Sequence, residues 1–358
     1  MGNCFVRHRN GSSMKTEFNS IYSLMIFFNR NLKYNSSVNI SATINNIELP
    51  FNIYKLPRNY TFSSSNDVSN TMSLCTQDGA IQVLLGKTIT VNSGITLTTP
   101  QRCRGLYIFC DNLINNGTIS MTARGCIGEG KNIYLCRLND TLQYIPAVGG
   151  SGGASCHPLS STRYSGLAGY ESSTSRGTGG GGSGGSWYDS VAWSGRGGNG
   201  TSFSGGAGGG STTRASSIAV QNGSDIGGAG GNGNKPTSNN RSGGGVGNPG
   251  GHGYDQVGNS KSIAPSGTGG IIVIFARSCS GYFEAKGISS TPSVDGLLPD
   301  AYGGSSGGGS INIFTKTTSN ITTNASGGTG NTSKTSQISN SYDGGAGGNG
   351  SVTISDYP

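Results

Sequence analysis

Residues that could carry out catalysis are few in this chain, and they lack the neighbours that known chemistries need. The three histidines, His8, His157 and His252, have no recognisable nucleophile and acid partners for acyl transfer. Residues 86–88 read Gly-Lys-Thr like the end of a phosphate-binding loop, but Ile81 stands where the first glycine of that loop belongs. The sequence therefore predicts a non-enzymatic protein.

Carboxylates and metal ligands lead to the same prediction. The 16 Asp and Glu residues are thinly spread, so the pair that glycoside hydrolysis needs could form only through the fold. Polysaccharide cleavage stays open as an alternative. Cys156 and His157 are adjacent, but no further ligands follow at tetrahedral spacing, so we predict no metal and no other cofactor.

Aromatic residues set among Gly, Ser and Asn give the strongest functional signal. Tyr and Trp supply large, rigid contact areas, and the small polar residues supply adaptable hydrogen bonds, as they do in antibody paratopes. The alternative is that these side chains seal the segment that carries them. The predicted receptor-binding residues are Tyr164, Tyr170, Trp187, Tyr188, Trp193, Phe203, His252 and Tyr254.

Glycine dominates that segment, because 39 of the 65 glycines lie in residues 149–270. Ordering Gly instead of Ala costs roughly 0.5–1 kcal/mol per residue. Glycine has no side chain whose burial could offset this cost, so backbone hydrogen bonds must do so. Extended helices with three residues per turn have no internal hydrogen bonds, and glycine lets them approach and bond laterally. The sequence predicts a polyglycine-II helix bundle; irregular loops on a β scaffold and a disordered segment are the alternatives.

A repeat is visible outside the glycine-rich segment. A short strand ending in Phe is followed each time by an Ala-x-Gly triplet, which indicates strands that stack side by side with insertions on one edge. The strand triplets are residues 107–109, 273–275 and 312–314, and the Ala-x-Gly triplets are residues 123–125, 285–287 and 325–327.

The predicted fold class is all-β. We expect a β-helix-like or layered β scaffold with a long glycine-rich insertion that forms the polyglycine-II bundle. Residues 17–28 are the one helix candidate. The predicted divisions are an N-terminal β-rich region at 1–105, a first β repeat at 106–148, the glycine-rich region with display loops at 149–270, and C-terminal β repeats with glycine-rich connections at 271–358.

Charge and hydropathy narrow the partners and the location. The net charge of +8 is scattered rather than gathered in a stripe, which predicts a mildly cationic surface and no nucleic-acid site. The best apolar run, residues 21–28, falls far short of the roughly 20 residues that span a bilayer, so we predict no membrane insertion. The 8 cysteines contain no Cys-x-x-Cys, and most are predicted to be reduced and buried.

The glycine runs, alternating with short aromatic and polar loops, resemble the distal adhesins of tailed-bacteriophage fibres. In that family, polyglycine-II helices stack into a sandwich, and variable loops at its end bind the host surface. Two of the runs here are identical, GGAGGNG at 227–233 and at 344–350. The runs that carry the resemblance are residues 179–185, 227–233, 243–247 and 344–350.

The resemblance implies a receptor-binding protein of a virion, assembled in the host cytoplasm. Residues 1–105 would then attach to other virion proteins, and the glycine-rich part would face a host glycan or protein. It also implies a homo-oligomer or attachment to an oligomeric fibre. The Ile-Phe strands and the long N-terminal part depart from the family pattern and would equally suit a baseplate or head-decoration protein. A bacterial cell-surface adhesin or structural protein is a further alternative.

Overall fold

The structure, a computed structural model, is mostly strand. It describes residues 5–6, 16–44, 46–73, 80–125, 132–138, 141–146, 246, 252–254, 260–263, 267–290, 303–330 and 345–358. The helices in this part are α1 (Ile21–Asn31) and α2 (Ser65–Met72). The strands are β1 (Phe5–Val6), β2 (Thr16–Phe18), β3 (Ser36–Ile44), β4 (Ile47–Lys55), β5 (Asn59–Phe62), β6 (Ile81–Leu85), β7 (Thr88–Val91), β8 (Thr96–Leu97), β9 (Gly105–Ser120), β10 (Asn132–Leu138), β11 (Thr141–Pro146), β12 (His252–Tyr254), β13 (Ser260–Ile263), β14 (Ile271–Glu284), β15 (Ser310–Asn324) and β16 (Ser351–Ser355).

One curled, half-barrel sheet holds most of these strands and confirms the all-β class. Its order is β1-β2-β3-β4-β6-β9-β14-β15-β16. Strands β6, β7 and β8 pair in succession with the long strand β9. The pairs β1–β2 and β3–β4 are antiparallel, whereas every pair from β4 to β16 along this order is parallel.

The predicted repeat is confirmed by the register of the long strands. Phe109 of β9 stands beside Phe275 of β14, and Phe275 stands beside Phe314 of β15. The rings of Phe275 and Phe314 stack with their centroids 4.9 Å apart. Equal positions of successive repeats therefore lie side by side on neighbouring strands.

The first predicted Ala-x-Gly triplet, residues 123–125, lies two residues beyond the position equivalent to the other two. Residue 285 donates its amide to Asn324 in the next strand, and in the same way Met121 donates its amide to Glu284. The equivalent of Ala285 is therefore Met121, not Ala123. The reason lies at the corner of β9, where three residues separate Ile114 from Thr118 while one separates their β14 partners.

Each long strand curls until its end meets the start of the next strand. The contact recurs once in each repeat as a backbone hydrogen bond. The three bonds run from Gly270 N to Met121 O (2.9 Å), from Gly309 N to Ala285 O (2.8 Å) and from Gly350 N to Ala325 O (2.7 Å). The inner face of the curl is therefore enclosed, and it forms a hydrophobic core that includes Ile108, Ile274 and Ile313.

The outer face of the same sheet is covered by α1 and β10. The predicted helix is confirmed, but it begins at Ile21, because Ser20 caps it and accepts a hydrogen bond from the amide of Ser23 at 3.1 Å. Leu24 and Met25 are fully buried in this second core. Its members from the sheet and from β10 include Tyr107, Val273, Phe275, Phe314, Leu135 and Cys136.

We expect Phe275→Ala to lower the free energy of unfolding by about 3–5 kcal/mol, because the ring is fully buried between Phe314 and Tyr22. Ile114→Ala is the control, since that side chain is 41% exposed and should change stability by about 0.5 kcal/mol. Urea unfolding of both variants measures the difference. Equal losses would contradict the packing of the aromatic row.

Candidate functional site

Five extended segments without helix or strand pairing join the ends of the long strands. We call residues 267–270, 285–290, 303–309, 325–330 and 345–350 the glycine segments. Segments 285–290 and 325–330 follow β14 and β15. The other three lead into β14, β15 and β16. The chain therefore runs in one direction through the two segments that follow strands and in the opposite direction through the three that lead into strands.

Hydrogen bonds donated by segment 303–309 repeat every three residues. Two of its amides donate to the parallel segment 345–350, and two donate to the antiparallel segment 285–290. The bonds are Ser305 N to Gly345 O (2.9 Å), Gly308 N to Gly348 O (2.9 Å), Ser306 N to Ile288 O (3.0 Å) and Gly309 N to Ala285 O (2.8 Å). Because side chains and bonds of a β-strand alternate with period two, this backbone is not a strand.

The same segment also accepts hydrogen bonds from three further parts of the chain. These bonds run from Gly269 N to Gly307 O (3.1 Å), from Gly328 N to Ser306 O (2.8 Å) and from Val246 N to Gly304 O (3.0 Å). A strand in a sheet bonds to neighbours on two sides only. Segment 303–309 bonds to five neighbours, so the glycine segments form a three-dimensional network.

Glycine is required where these backbones approach each other. A Cβ placed on Gly308 would lie 1.8 Å from the carbonyl oxygen of Ala325, and one on Gly350 would lie 1.8 Å from that of Gly309. On Gly327 it would lie 2.1 Å from the oxygen of Gly347. No side chain fits at such distances, so the packing unit of this region is the main chain itself.

Serine hydroxyls complete the network where the segments are not glycine. Ser305 and Ser306 are fully buried. Ser305 Oγ donates to Thr329 O at 2.8 Å, and Ser306 Oγ accepts from the amide of Ile288 at 2.9 Å. A hydroxyl can both donate and accept a hydrogen bond. These serines therefore pair with buried backbone N–H and C=O groups that have no partner among the lateral backbone bonds.

The ends of the segments farthest from the sheet lie together. Ser290 Oγ donates to Gly303 O. Ser289 Oγ and Thr329 Oγ1 lie 2.7 Å apart, and Ser305 donates to Gly345. The connectors 291–302 and 331–344 therefore leave and rejoin the network at one end.

An ion pair marks the border between the sheet and the glycine segments. Glu284 accepts hydrogen bonds from Ser120 Oγ at 2.8 Å and Tyr282 OH at 3.1 Å, and its carboxylate lies 2.8 Å from Lys286 Nζ. Burial alone raises the pKa of Glu284, but the hydrogen bonds from Lys286 and Ser120 outweigh it and leave the pKa below its usual value. This carboxylate is held ionised and tied to β9, which suits a structural link between strands.

The described cysteines are buried thiols, as predicted for most of the eight. Cys103, Cys110, Cys136 and Cys279 are buried and form no disulfide bond. Burial raises the pKa of Cys136 and of Cys279 to about 12, so neither supplies a thiolate nucleophile near neutral pH. Within the residues that the structure describes, no group of three or more His, Cys, Asp or Glu side chains could hold a metal ion.

The predicted receptor-binding residues fall mostly outside the described part. Tyr164, Tyr170, Trp187, Tyr188, Trp193 and Phe203 lie there. His252 and Tyr254 belong to β12, which pairs antiparallel with β13. The structure instead brings together residues 303–309 and 325–330, for which the sequence predicted only glycine-rich connections between strands. The available signal was their Gly and Ser content, which resembles that of 149–270.

Comparison with known proteins adds no relative: no family model, no curated protein and no solved structure matches this chain. In the described part, neither α1 nor α2 has the length and apolar character that a membrane-spanning helix needs.

We expect Gly327→Ala to lower the free energy of unfolding by about 1–3 kcal/mol or more, because the new methyl group would overlap the backbone of Gly347. Ser326→Ala, one residue earlier, is the matched control, since it introduces the same side chain at a position that already carries a Cβ. Thermal and urea unfolding compare the two. A Gly327→Ala variant as stable as the control would contradict the close backbone packing.

Proposed function

We propose that this protein is a non-enzymatic receptor-binding component of a virion, a fibre or fibre-tip adhesin of a tailed phage that recognises the host cell surface. The observation that carries the proposal is the glycine-segment network, whose connectors leave at one end. Such a network is a stiff base, because its backbone groups are cross-bonded in three dimensions rather than along one sheet. A stiff base with the attachment points of its loops close together suits recognition, since a preorganised binding surface loses less conformational entropy on binding.

We further propose that the glycine segments are polyglycine-II helices and that residues 149–270 extend the same bundle. The three-residue period of the bonds in segment 303–309 supports this, because polyglycine-II has three residues per turn and bonds only laterally. Val246, which lies within 149–270, is fully buried and donates to Gly304. The sequence GGAGGNG at 344–350, which contains the glycine segment 345–350, also recurs at 227–233.

In this proposal, aromatic residues between the glycine runs make the host contact. Six of these aromatic residues lie in the chain between β11 and Val246, and Val246 belongs to the cross-bonded network through its hydrogen bond to Gly304 O. The receptor would be a glycan or a protein of the host surface, because flat aromatic faces with small polar neighbours suit either.

In this proposal, attachment to the particle uses the N-terminal end of the sheet order. The N-terminal strands β1 to β4 form one end of the sheet order, and β16 forms the other. Residues 1–105 would there contact other virion proteins, inside the host cytoplasm during assembly and on the released particle afterwards.

Hydrogen–deuterium exchange tests the extended bundle. We expect backbone amides in peptides from 149–270 to exchange slowly, at rates like those of segment 303–309, because both would be laterally bonded. The exchange rates expected for an unstructured chain of the same sequence give the comparison. Exchange across 149–270 at the rate of an unstructured chain would contradict the bundle, and the display platform with it.

Host recognition is tested with the tryptophans. We expect the double variant Trp187→Ala, Trp193→Ala to bind bacterial cells at least ~10-fold more weakly than the wild type, because central aromatic anchors dominate binding energy. Binding of labelled protein to a panel of bacterial cells and to a glycan array provides the measurement.

The control is Trp187→Phe, Trp193→Phe, which keeps flat aromatic rings at both positions. Equal thermal unfolding of the two double variants would show that the scaffold is intact. A wild type that binds neither cells nor glycans would refute the adhesin proposal and favour a baseplate or head-decoration role. Unchanged binding by the alanine variant would remove these two residues from the site.

A further inference from the structure

The end of the sheet formed by β15 and β16 is open in the described part of the chain. β16 pairs only with residues 310–314 of β15. Among the described strands, none pairs with this edge of β15 from Thr315 to Asn324. The corresponding part of β14 is paired on both sides, with β9 and with β15. We call β15, β16 and glycine segments 325–330 and 345–350 the open end.

Two rows of side chains that are buried in the core on β15 continue onto β16 at the open end, where they are exposed to solvent. Ile311 and Ile313 are fully buried, but their register partners Val352 and Ile354 on β16 are 43% and 48% exposed. In the described part of the chain, just four large hydrophobic side chains are exposed, and these are two of them. An internal row that ends in exposed aliphatic side chains is typical of an uncapped repeat, which needs a cover.

Charge is nearly absent from the open end. The chain carries a net charge of +8, which opposes contact between copies in general. Residues 310–330 and 345–358 contain one cation, Lys316, and one anion, Asp356, so this surface is neutral. Depletion of charged side chains is the compositional mark of the buried centre of an interface. The open end is therefore the face on which two copies meet with least repulsion.

The other end of the sheet is built differently. There the parallel stacking is ended by β3, which pairs antiparallel with β4, and β2 and β1 follow. A head-to-tail contact would therefore not continue the parallel stack from one copy into the next. An isologous contact, with the same face used by both copies about a two-fold axis, instead matches two equal surfaces.

We propose that the open end binds the open end of a second copy of this chain, which gives a two-fold symmetric dimer. Its strands and glycine segments present roughly 800 Å² per copy, from the rise per residue and a sheet thickness of about 10 Å, and this is the usual size of a stable interface. Asn320, with φ of 50°, bends β15, so the contact divides into two stretches around that corner. This inference does not depend on the receptor-binding proposal.

Sedimentation equilibrium of the full chain tests the dimer. We expect a dimer for the wild type and a dissociation constant at least ~10-fold higher for Ile354→Lys, because each copy would bury an ammonium group without a partner in the interface. Ile114→Lys is the matched control: Ile114 is 41% exposed but lies on β9, which is paired on both sides. This control should remain dimeric.

Thermal unfolding checks that the variants fold. Should Ile354→Lys fail to fold, Thr322→Lys places the same charge on the exposed part of β15 and should weaken the dimer alike. A wild type that stays monomeric at about 100 μM would overturn the proposal, since a standard-size interface should be occupied there. Dimers unaffected by folded variants at the open end, or dissociated equally by Ile114→Lys, would overturn it as well.

Discussion

Lateral hydrogen bonds between main chains that have no Cβ hold the rest of this structure in place. Strands β14 and β15 each begin and end at a glycine segment, and these ends are held together by bonds such as that from Gly309 N to Ala285 O. These bonds form only if the backbones approach more closely than any side chain permits, as at Gly308 and Gly350. The glycine positions thereby set where β14 and β15 begin and end, and so set the register between these two strands.

This arrangement explains how a chain with 32% hydrophobic residues supports two cores. The apolar side chains are concentrated in the sheet, where strands such as β14 are buried on both faces over their first half. The glycine segments contribute almost no apolar surface, and their cohesion comes from backbone bonds with serine hydroxyls between them. Side-chain burial and main-chain bonding thus stabilise separate parts of one continuous chain.

The sequence predicts the strand repeat because the letters at 107–109, 273–275 and 312–314 are similar and the structure places them in register. It misplaces the first Ala-x-Gly triplet because the corner of β9 contains two residues more than the corner of β14, and this difference is visible only in the strand pairing. Apolar periodicity finds α1, but the cap at Ser20 decides its start. The sequence does not show which parts of the chain bond to segment 303–309, since its five neighbours are brought to it by tertiary folding.

The convergence of Ser290, Gly303, Thr329 and Gly345 at one end of the glycine segments has a consequence for variation. A connector whose two ends are already held within one hydrogen bond of each other adds little strain when it lengthens, because doubling a flexible loop costs only about 0.6 kcal/mol. Insertion, deletion or recombination could therefore replace a whole connector without changing the segments that hold its ends. Such a scaffold allows the connectors to vary while the hydrogen-bonded base beneath them stays the same.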